Sequence, residues 1–332
     1  MTDEHQREGR ALRYIIYGAG AIGGVIGALL HLSGQEVTLI ARGAHLKALQ
    51  ENGLTFISGE GTQSLAIPSV GSPAELELTP EDVVFLAMKS QDTVRAIDTL
   101  FAAAPPTITV VCAQNGVVNE RMALRRFPNV YGQLVILPGT HLEPGTVIAS
   151  ASPVHGILDL GRYPSGSDER AETIARDLTE AQFSSVARQD IMPWKYGKLL
   201  RNLANSLQAI LGLEQKAETL IALAREEAIS CFKAAGVEVV DDQLFNQRFQ
   251  ALNRIVSDSS AARSGNSSWQ SLARGATTIE AAYLNGEVAL LGRLHGVPTP
   301  VNALLQKVAT EVAVSGQGPG AFTVANLEER LP

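Results

Sequence analysis

The tightest constraint in this chain is a cluster of glycines, Gly18-Ala19-Gly20-Ala21-Ile22-Gly23, set between an apolar strand and an apolar helix. The strand is Tyr14-Ile15-Ile16-Tyr17, the helix runs to Ser33 with Gly34 as its C′ residue, and Val37-Thr38-Leu39-Ile40 is the next strand. In that setting each glycine has a separate task. Gly18 permits a tight turn, Gly20 lets the backbone approach a pyrophosphate, and Gly23 lets the helix pack closely on the sheet. The helix start offers free N–H groups and a positive dipole end to phosphates. A glycine turn alone could be purely structural. The strand, turn, helix and strand in sequence make Gly18, Ala19, Gly20, Ala21, Ile22 and Gly23 candidate dinucleotide-binding residues.

The alternation continues. Val83–Met88 and Ile108–Cys112 read as buried strands, Gln91–Ala103 and Val117–Arg126 as helices, and Leu54–Ile57 with Leu65–Ile67 as a small antiparallel excursion. Strands alternating with helices predict a parallel sheet covered on both faces. Beyond Ala187 the strand signal stops, and helices are expected at Trp194–Gly212, Ala217–Ala235, Asp241–Ser257, Thr277–His295 and Val301–Val314. The fold class is therefore α/β, a Rossmann-type dinucleotide-binding domain over 12–189 followed by an all-α domain over 190–332, with residues 1–11 as a mobile tail. Two domains also suit a length of 332 residues.

A net charge of −7, with no lysine or arginine run, argues against a nucleic-acid partner, which needs a basic surface. Cys112 and Cys231 lie far apart in apolar stretches, without metal-ligand spacing, and read as core thiols. No metal site is expected. The first ten residues lack the apolar centre of a secretory signal, and no apolar run reaches the roughly 20 residues that span a bilayer. A cytoplasmic protein with no membrane partner is expected.

The end of the second strand bears on cofactor choice. An acid there would bond a ribose hydroxyl, whereas Arg42 in Leu39-Ile40-Ala41-Arg42-Gly43 can pair with a 2′-phosphate, which favours NADPH. An arginine merely exposed at a strand end is the plainer alternative. Lys89 ends another strand and can support the same phosphate. Asn115, in Gln114-Asn115-Gly116, falls at the carboxyl edge of the sheet, where it can bond a ribose or a substrate; Asn-Gly is also a common turn.

Two further constellations lie in the helical half. On a helix opening with Pro193 at its first position, Leu199, Leu200, Leu203, Leu207, Ile210 and Leu211 form one face, and Lys198, Asn202 and Asn205 cluster opposite. Such a stripe is usually a solvated face. Asparagine is a weak helix former, however, so two beside one lysine suggest selected polar contacts. Glu280 lies three residues after Thr277, the spacing of a capping box, yet it also shares a stripe with Leu284 and Leu291 that would bury it partly. A carboxylate so placed can accept from a substrate hydroxyl or pair with a lysine.

The ordered segments GAGAIGG, VTLIARG, VVFLAMKS, QNGV, WKYGKLLRN, SSWQ, IEAAYLNGEV and HGVPTP make the chain resemble the ketopantoate reductases, or 2-dehydropantoate 2-reductases, from about Leu12 to Ala313. The resemblance implies an active site in the cleft between a Rossmann domain and a helical domain, and reduction of the 2-oxo acid ketopantoate to pantoate with NADPH, toward pantothenate. It gives Gly18, Gly20 and Gly23 to the pyrophosphate, Arg42 and Lys89 to the 2′-phosphate, and places Asn115 between cofactor and substrate. Lys198 becomes the catalytic lysine, placed to protonate the developing alkoxide. Asn202 and Ser268 become substrate-binding residues and Glu280 the active-site glutamate, opposite Lys198. A homodimer is the family-level expectation. The chain departs from the family pattern at Ser271 and Ala282, where aspartates are common, and at Asn205, one residue short of a second asparagine. Those departures keep a related 2-oxo acid or another small carbonyl compound in view. A non-catalytic NADP-binding regulator is a third reading, against which the retained Lys198 and Glu280 count.

Overall fold

The computed structural model describes residues 12–253 and 265–331. The expected tail at 1–11 and the last residues of the helix expected over Asp241–Ser257 lie outside the described residues.

Eleven strands are described: β1 (Arg13–Tyr17), β2 (Glu36–Ile40), β3 (Leu54–Ser58), β4 (Gly61–Leu65), β5 (Ser69–Val70), β6 (Val83–Leu86), β7 (Thr109–Cys112), β8 (Val130–Ile136), β9 (Gly139–Thr140), β10 (Thr146–Ala149) and β11 (Ile157–Arg162). Seven form one sheet in the order β11-β8-β7-β6-β1-β2-β5. Its pairs are parallel except β11 with β8, which are antiparallel. The expectation of a parallel sheet is corrected at that edge. No helix bridges β8 and β11; β9 and β10 occupy the connection, so the chain returns without the crossover that parallel pairing requires. Strand β3 pairs antiparallel as expected, but with Gly61–Leu65 rather than Leu65–Ile67, because a tight turn after Ser58 brings the chain straight back; β10 and β9 extend the pair to a second, four-stranded sheet.

The helices of the first part are α1 (Ala21–Leu32), α2 (Gly43–Asn52), α3 (Thr93–Ala103), α4 (Asn119–Leu124) and α5 (Glu169–Glu180). They cover the large sheet on two faces. Tyr14 and Ile16 of β1 pack with Val25 and Leu29 of α1, while Ile15 faces the other way, toward Ile97 and Leu100 of α3. That alternation within an uninterrupted apolar run is what burial on both faces requires. From β1 the chain steps to β2 and β5 on one side and to β6, β7 and β8 on the other. The reversal opens a crevice at the carboxyl ends of β1 and β6.

The second part is helical: α6 (Ile191–Asn202), α7 (Ala204–Leu211), α8 (Glu218–Ala234), α9 (Asp242–Asn253), α10 (Ser267–Ala273), α11 (Asn285–His295), α12 (Pro300–Val314) and α13 (Val324–Glu328). The apolar face read from Leu199 to Leu211 is buried throughout. Two expected helices differ. The first begins at Ile191 rather than at Pro193, and it breaks at Leu203. Thr277–His295 is not one helix: a 3₁₀ turn spans Glu280–Tyr283 and α11 starts at Asn285. One side chain links both breaks. Asn285 is fully buried, its Nδ2 donating to Leu203 O at 3.2 Å and to Asn302 Oδ1 at 3.0 Å while its Oδ1 accepts from Ser206 Oγ at 2.6 Å. Satisfying a buried amide outweighs helical continuity. No described helix is long and apolar enough to cross a membrane.

Candidate functional site

Gly18 follows β1 with φ +104°, and a Cβ there would stand 2.7 Å from Met88 N, so only glycine fits where the two central strands end. A Cβ on Gly23 would strike Ile16 and Ala87, as expected of the glycine that seats the helix on the sheet. Gly20, by contrast, faces open space, with no heavy atom nearer than 4.0 Å to its would-be Cβ. Helix α1 makes its first bond from Gly24 N to Gly20 O at 2.7 Å, and no side chain caps it. The N–H groups of its first turn thus lack intrahelical partners. Ala19, Gly20, Ala21 and Ile22 line a cavity of about 1120 Å³ that extends from this loop to the helical part.

Arg42, the extended residue between β2 and α2, lies at one end of the cavity. Its side chain is 71% exposed and pairs with Asp92 at 3.2 Å, which also holds Arg95 at 3.0 Å. Two guanidinium groups sharing one carboxylate leave a net positive charge, suited to a phosphate.

The opposite wall comes from α6, α7 and the start of α10. Lys198, Asn202 and Asn205 all line the cavity, so the stripe is an internal face rather than a solvated one. Lys198 is accessible only in part, and this desolvation, with the charge of Arg201 added, lowers its ammonium pKa to about 8. Asn202 is 5% exposed, and its Nδ2 has no hydrogen-bond partner among the described residues. Asn115 lines the cavity from the sheet side, beside Gly116, whose φ of +79° shows that the turn reading holds as well. Ser268 is buried, with its Oγ unpartnered among the described residues, but it stands behind the wall. On α10 it is Ser267, Gln270 and then Arg274, at helical spacing, that face the cavity.

Glu280 does not close a capping box. Its Oε1 accepts from Ser90 N at 3.2 Å and Ser90 Oγ at 3.1 Å, joining the helical part to the end of β6. Thr277 precedes the 3₁₀ turn without capping it, because the N-cap is Ile279. No ion pair forms between Glu280 and Lys198 among the described residues. The carboxylate instead acts on Lys89, whose pKa is lowered by burial, raised by Glu280 and lowered again by Arg274. Lys89 Nζ donates to Ser271 Oγ across the cleft, so its side chain is turned toward α10 and not toward Arg42.

Several buried polar residues in or behind the wall of the site had little signal in the sequence. Lys195 and Glu120 form a buried ion pair at 2.7 Å, and the ammonium also donates to Gln114 O at 2.9 Å and Gln133 O at 3.0 Å. The pair lies over Gly132, where a Cβ would meet Lys195 Cδ at 3.3 Å. A glycine inside strand β8 was the one available hint of a close approach there. Gln114 in turn donates to Met88 O at 2.8 Å and Thr93 Oγ1 at 2.7 Å. Asn119 accepts from Thr93 at 2.9 Å and donates to Ser90 Oγ at 3.2 Å, so the turn ahead of Asn115 and the residue holding Glu280 belong to one buried network.

Comparison with known proteins bears on the family and the fold. Family models match two consecutive stretches: Ketopantoate reductase PanE/ApbA over residues 14–165, and Ketopantoate reductase PanE/ApbA C terminal over residues 190–313. A 2-dehydropantoate 2-reductase of Mesorhizobium japonicum is 31% identical over 330 residues, covering 90% of this chain and 98% of the relative. One from Pyrococcus horikoshii is 28% identical over 300 residues, covering 89% and 95%. Among solved structures, a PanE/ApbA family ketopantoate reductase from Ralstonia eutropha superposes with a TM-score of 0.78 at 25% identity, covering 92% of this chain and 99% of its own. D-mandelate dehydrogenase, solved with NADH and anilino(oxo)acetate, has a TM-score of 0.77 at 22% identity, covers 91% and 99%, and shares the fold. With matched stretches that run through both the sheet-bearing and the helical parts, the chain belongs to the ketopantoate reductase family.

Proposed function

We propose that this protein reduces 2-dehydropantoate (ketopantoate) to pantoate with NADPH, binding the dinucleotide over residues 12–189 and completing the site with residues 190–332. The observation that carries the reading is Lys198: a lysine with its pKa at about 8 and no carboxylate partner among the described residues, facing the cavity that the glycine loop opens into. The residues present fit the cofactor. Gly20 and the uncapped first turn of α1 offer a cradle that a larger side chain would fill, and Arg42 with Arg95 offers cations for a 2′-phosphate. When bound, the nicotinamide supplies hydride to the substrate ketone. The ketone oxygen gains negative charge as this happens, and the Lys198 ammonium stabilises it and donates a proton to it. The free Nδ2 of Asn202 donates to a substrate oxygen, and Asn115 holds the nicotinamide side of the substrate. Glu280 counters the lowering of the Lys89 pKa by burial, which favours Lys89 as a second cation for anionic groups in the cavity. Ser268 stands behind the wall and supports Ser267 and Gln270, its neighbours on α10 that face the cavity.

NADPH oxidation followed at 340 nm against a panel of 2-oxo acids tests the assignment. The expected result is the highest kcat/KM with ketopantoate. No turnover with any 2-oxo acid, despite NADPH binding, would return the protein to a regulator. One observation favours a different 2-oxo acid as second reading: Lys89 is held by the neutral hydroxyl of Ser271, so this wall carries less negative charge than an aspartate would give it. The homodimer and the cytoplasmic location come with the family reading; light scattering after size-exclusion chromatography checks the first.

A further inference from the structure

His141 follows β9 and lies against the glycine loop. Its Cδ2, the ring carbon bonded to Nε2, stands 4.0 Å from where a Cβ on Gly20 would be, and the residue lines the cavity. The other nitrogen, Nδ1, is 2.9 Å from the carbonyl oxygen of Thr146. A carbonyl only accepts, so Nδ1 carries hydrogen, and Nε2 of the neutral ring is a lone pair. The adjacent His45, ring centroids 4.4 Å apart, is wired differently. Its Nε2 is 2.7 Å from Ala19 O and its Nδ1 accepts from Gly145 N at 2.9 Å. Both nitrogens of His45 are engaged in the neutral form, and protonating Nδ1 would break the bond from Gly145.

The groups facing His141 are few. Residues 18–22 bring no titratable side chain, α2 brings His45, and the end of α10 brings Arg274, which donates to His141 O at 2.8 Å. Glu143, on its own loop, is exposed. We propose that His141 is a pyrophosphate ligand that binds only as the imidazolium, so that dinucleotide binding takes up a proton at Nε2 while His45 stays neutral. Phosphate oxygens, like carbonyls, only accept; facing one, the lone pair of Nε2 repels, whereas a proton taken from solvent turns it into a charged donor. In the ligand-free protein burial lowers the pKa of His141, the Thr146 bond opposes that, and Arg274 adds to the fall. A neighbouring diphosphate reverses the balance. The ring's contribution to affinity therefore rises as pH falls from its pKa in the complex to its lower value in the free protein, by at most about tenfold per pH unit, and is constant outside that window.

This inference rests on the reading of the cavity as a dinucleotide site, and calorimetry of NADP⁺ binding to the full chain separates the two. Titrations near about pH 7 in buffers of different ionisation enthalpy count protons taken up. The 2′-phosphate titrates equally in every variant, so the wild type minus His141→Gln isolates the ring. The expected difference is roughly half to one proton, with a shallower pH slope for the variant, whose amide can donate without a proton. His45→Asn should keep the wild-type uptake. Equal uptake in wild type and His141→Gln overturns the proposal, as does an uptake lost only with His45. Should His141→Gln fail to fold, ADP-ribose, which lacks the 2′-phosphate, serves with the wild type: a pH-independent Kd overturns the proposal. If NADP⁺ does not bind the wild type at any pH, the cofactor reading falls as well.

Discussion

Removing the Lys195 ammonium tests how much the junction between α6 and the sheet depends on one buried charge. Lys195 and Glu120 side chains are 2% and 0% exposed, and neither oxygen of Glu120 has any other hydrogen-bond partner among the described residues. Lys195→Met keeps most of the stem and removes the charge. The variant must then bury an unpaired carboxylate or protonate it, and the carbonyls of Gln114 and Gln133 lose a donor. Breaking one side of such a pair costs about 3–5 kcal/mol, against a total stability on the order of 5–15 kcal/mol. The double variant Lys195→Met/Glu120→Leu removes the orphaned charge but leaves the two carbonyls, each a penalty of about 1–3 kcal/mol where no water replaces the donor. It should therefore be more stable than Lys195→Met and less stable than wild type. Urea unfolding followed by tryptophan fluorescence reads this, since Trp194 is buried, stacked on Phe245 at 6.0 Å and covered by Arg188 at 3.8 Å. A Lys195→Met protein within about 1 kcal/mol of wild type would refute the reasoning, because no exposed surface relieves Glu120. A double variant no better than the single one would do the same.

Lys198→Ala should lower kcat by roughly 10²–10⁴-fold with NADPH binding retained. In the wild type kcat/KM should hold below pH about 8 and fall above it, as the ammonium that donates the proton is lost; a flat profile through pH 9 would remove Lys198 as the acid. Arg42→Ala should weaken NADPH about tenfold to a hundredfold and leave NADH nearly unchanged, as measured by fluorescence titration. Equal losses for both cofactors would disprove the 2′-phosphate assignment. Glu280→Gln keeps an Oε1 to accept from Ser90 but removes the charge that supports Lys89, so kcat/KM should fall at least about tenfold with little change in Tm. The loss should grow with pH, because Lys89 then gives up its proton earlier; wild-type kinetics with a lowered Tm would mean that Glu280 only holds the fold.

What was legible in the sequence follows from periodicity. The βαβ start, strands β6 and β7 and the helices of the second half each carry an apolar repeat that their own packing enforces, and Gly18 and Gly23 mark contacts no side chain could make. Strand β8 carries a weak signal, because Val130–Ile136 contains Gly132 and Gln133; the glycine is explained by Lys195, Glu120 and Ile191 crowding against it, and nothing in the structure explains the glutamine side chain. Strand β11 hides similarly behind Asp159, a buried carboxylate whose partners Arg188 and Arg248 lie 29 and 89 residues away. The break at Leu284 is likewise set by Asn285 reaching Leu203, a contact across 82 residues. Short-range patterning cannot encode such pairs. For the same reason Glu280 and Thr277 imitate a capping box, while the actual partner, Ser90, is 190 residues distant.

Charge shows the same separation between what a chain's composition states and what its fold makes of it. The chain carries a net −7, and that figure argues against a nucleic-acid partner. Yet the charged residues lining the cavity are Arg42, Lys89, Arg95, Lys198 and Arg274 against Asp92 and Glu280, an excess of three positive charges before either histidine is counted. The acidic charge is thus carried outside the cavity, and a concave, partly desolvated cationic surface focuses its field on small anions that fit inside. The cations are drawn from the ends of β2 and β6 and from α3 on one wall and from α6 and α10 on the other, so neither part alone has the field. Each of the two acids sits against one or more of these cations rather than standing alone in the cavity. Asp92 holds Arg42 and Arg95 together, and Glu280 opposes the fall that burial causes in the pKa of Lys89.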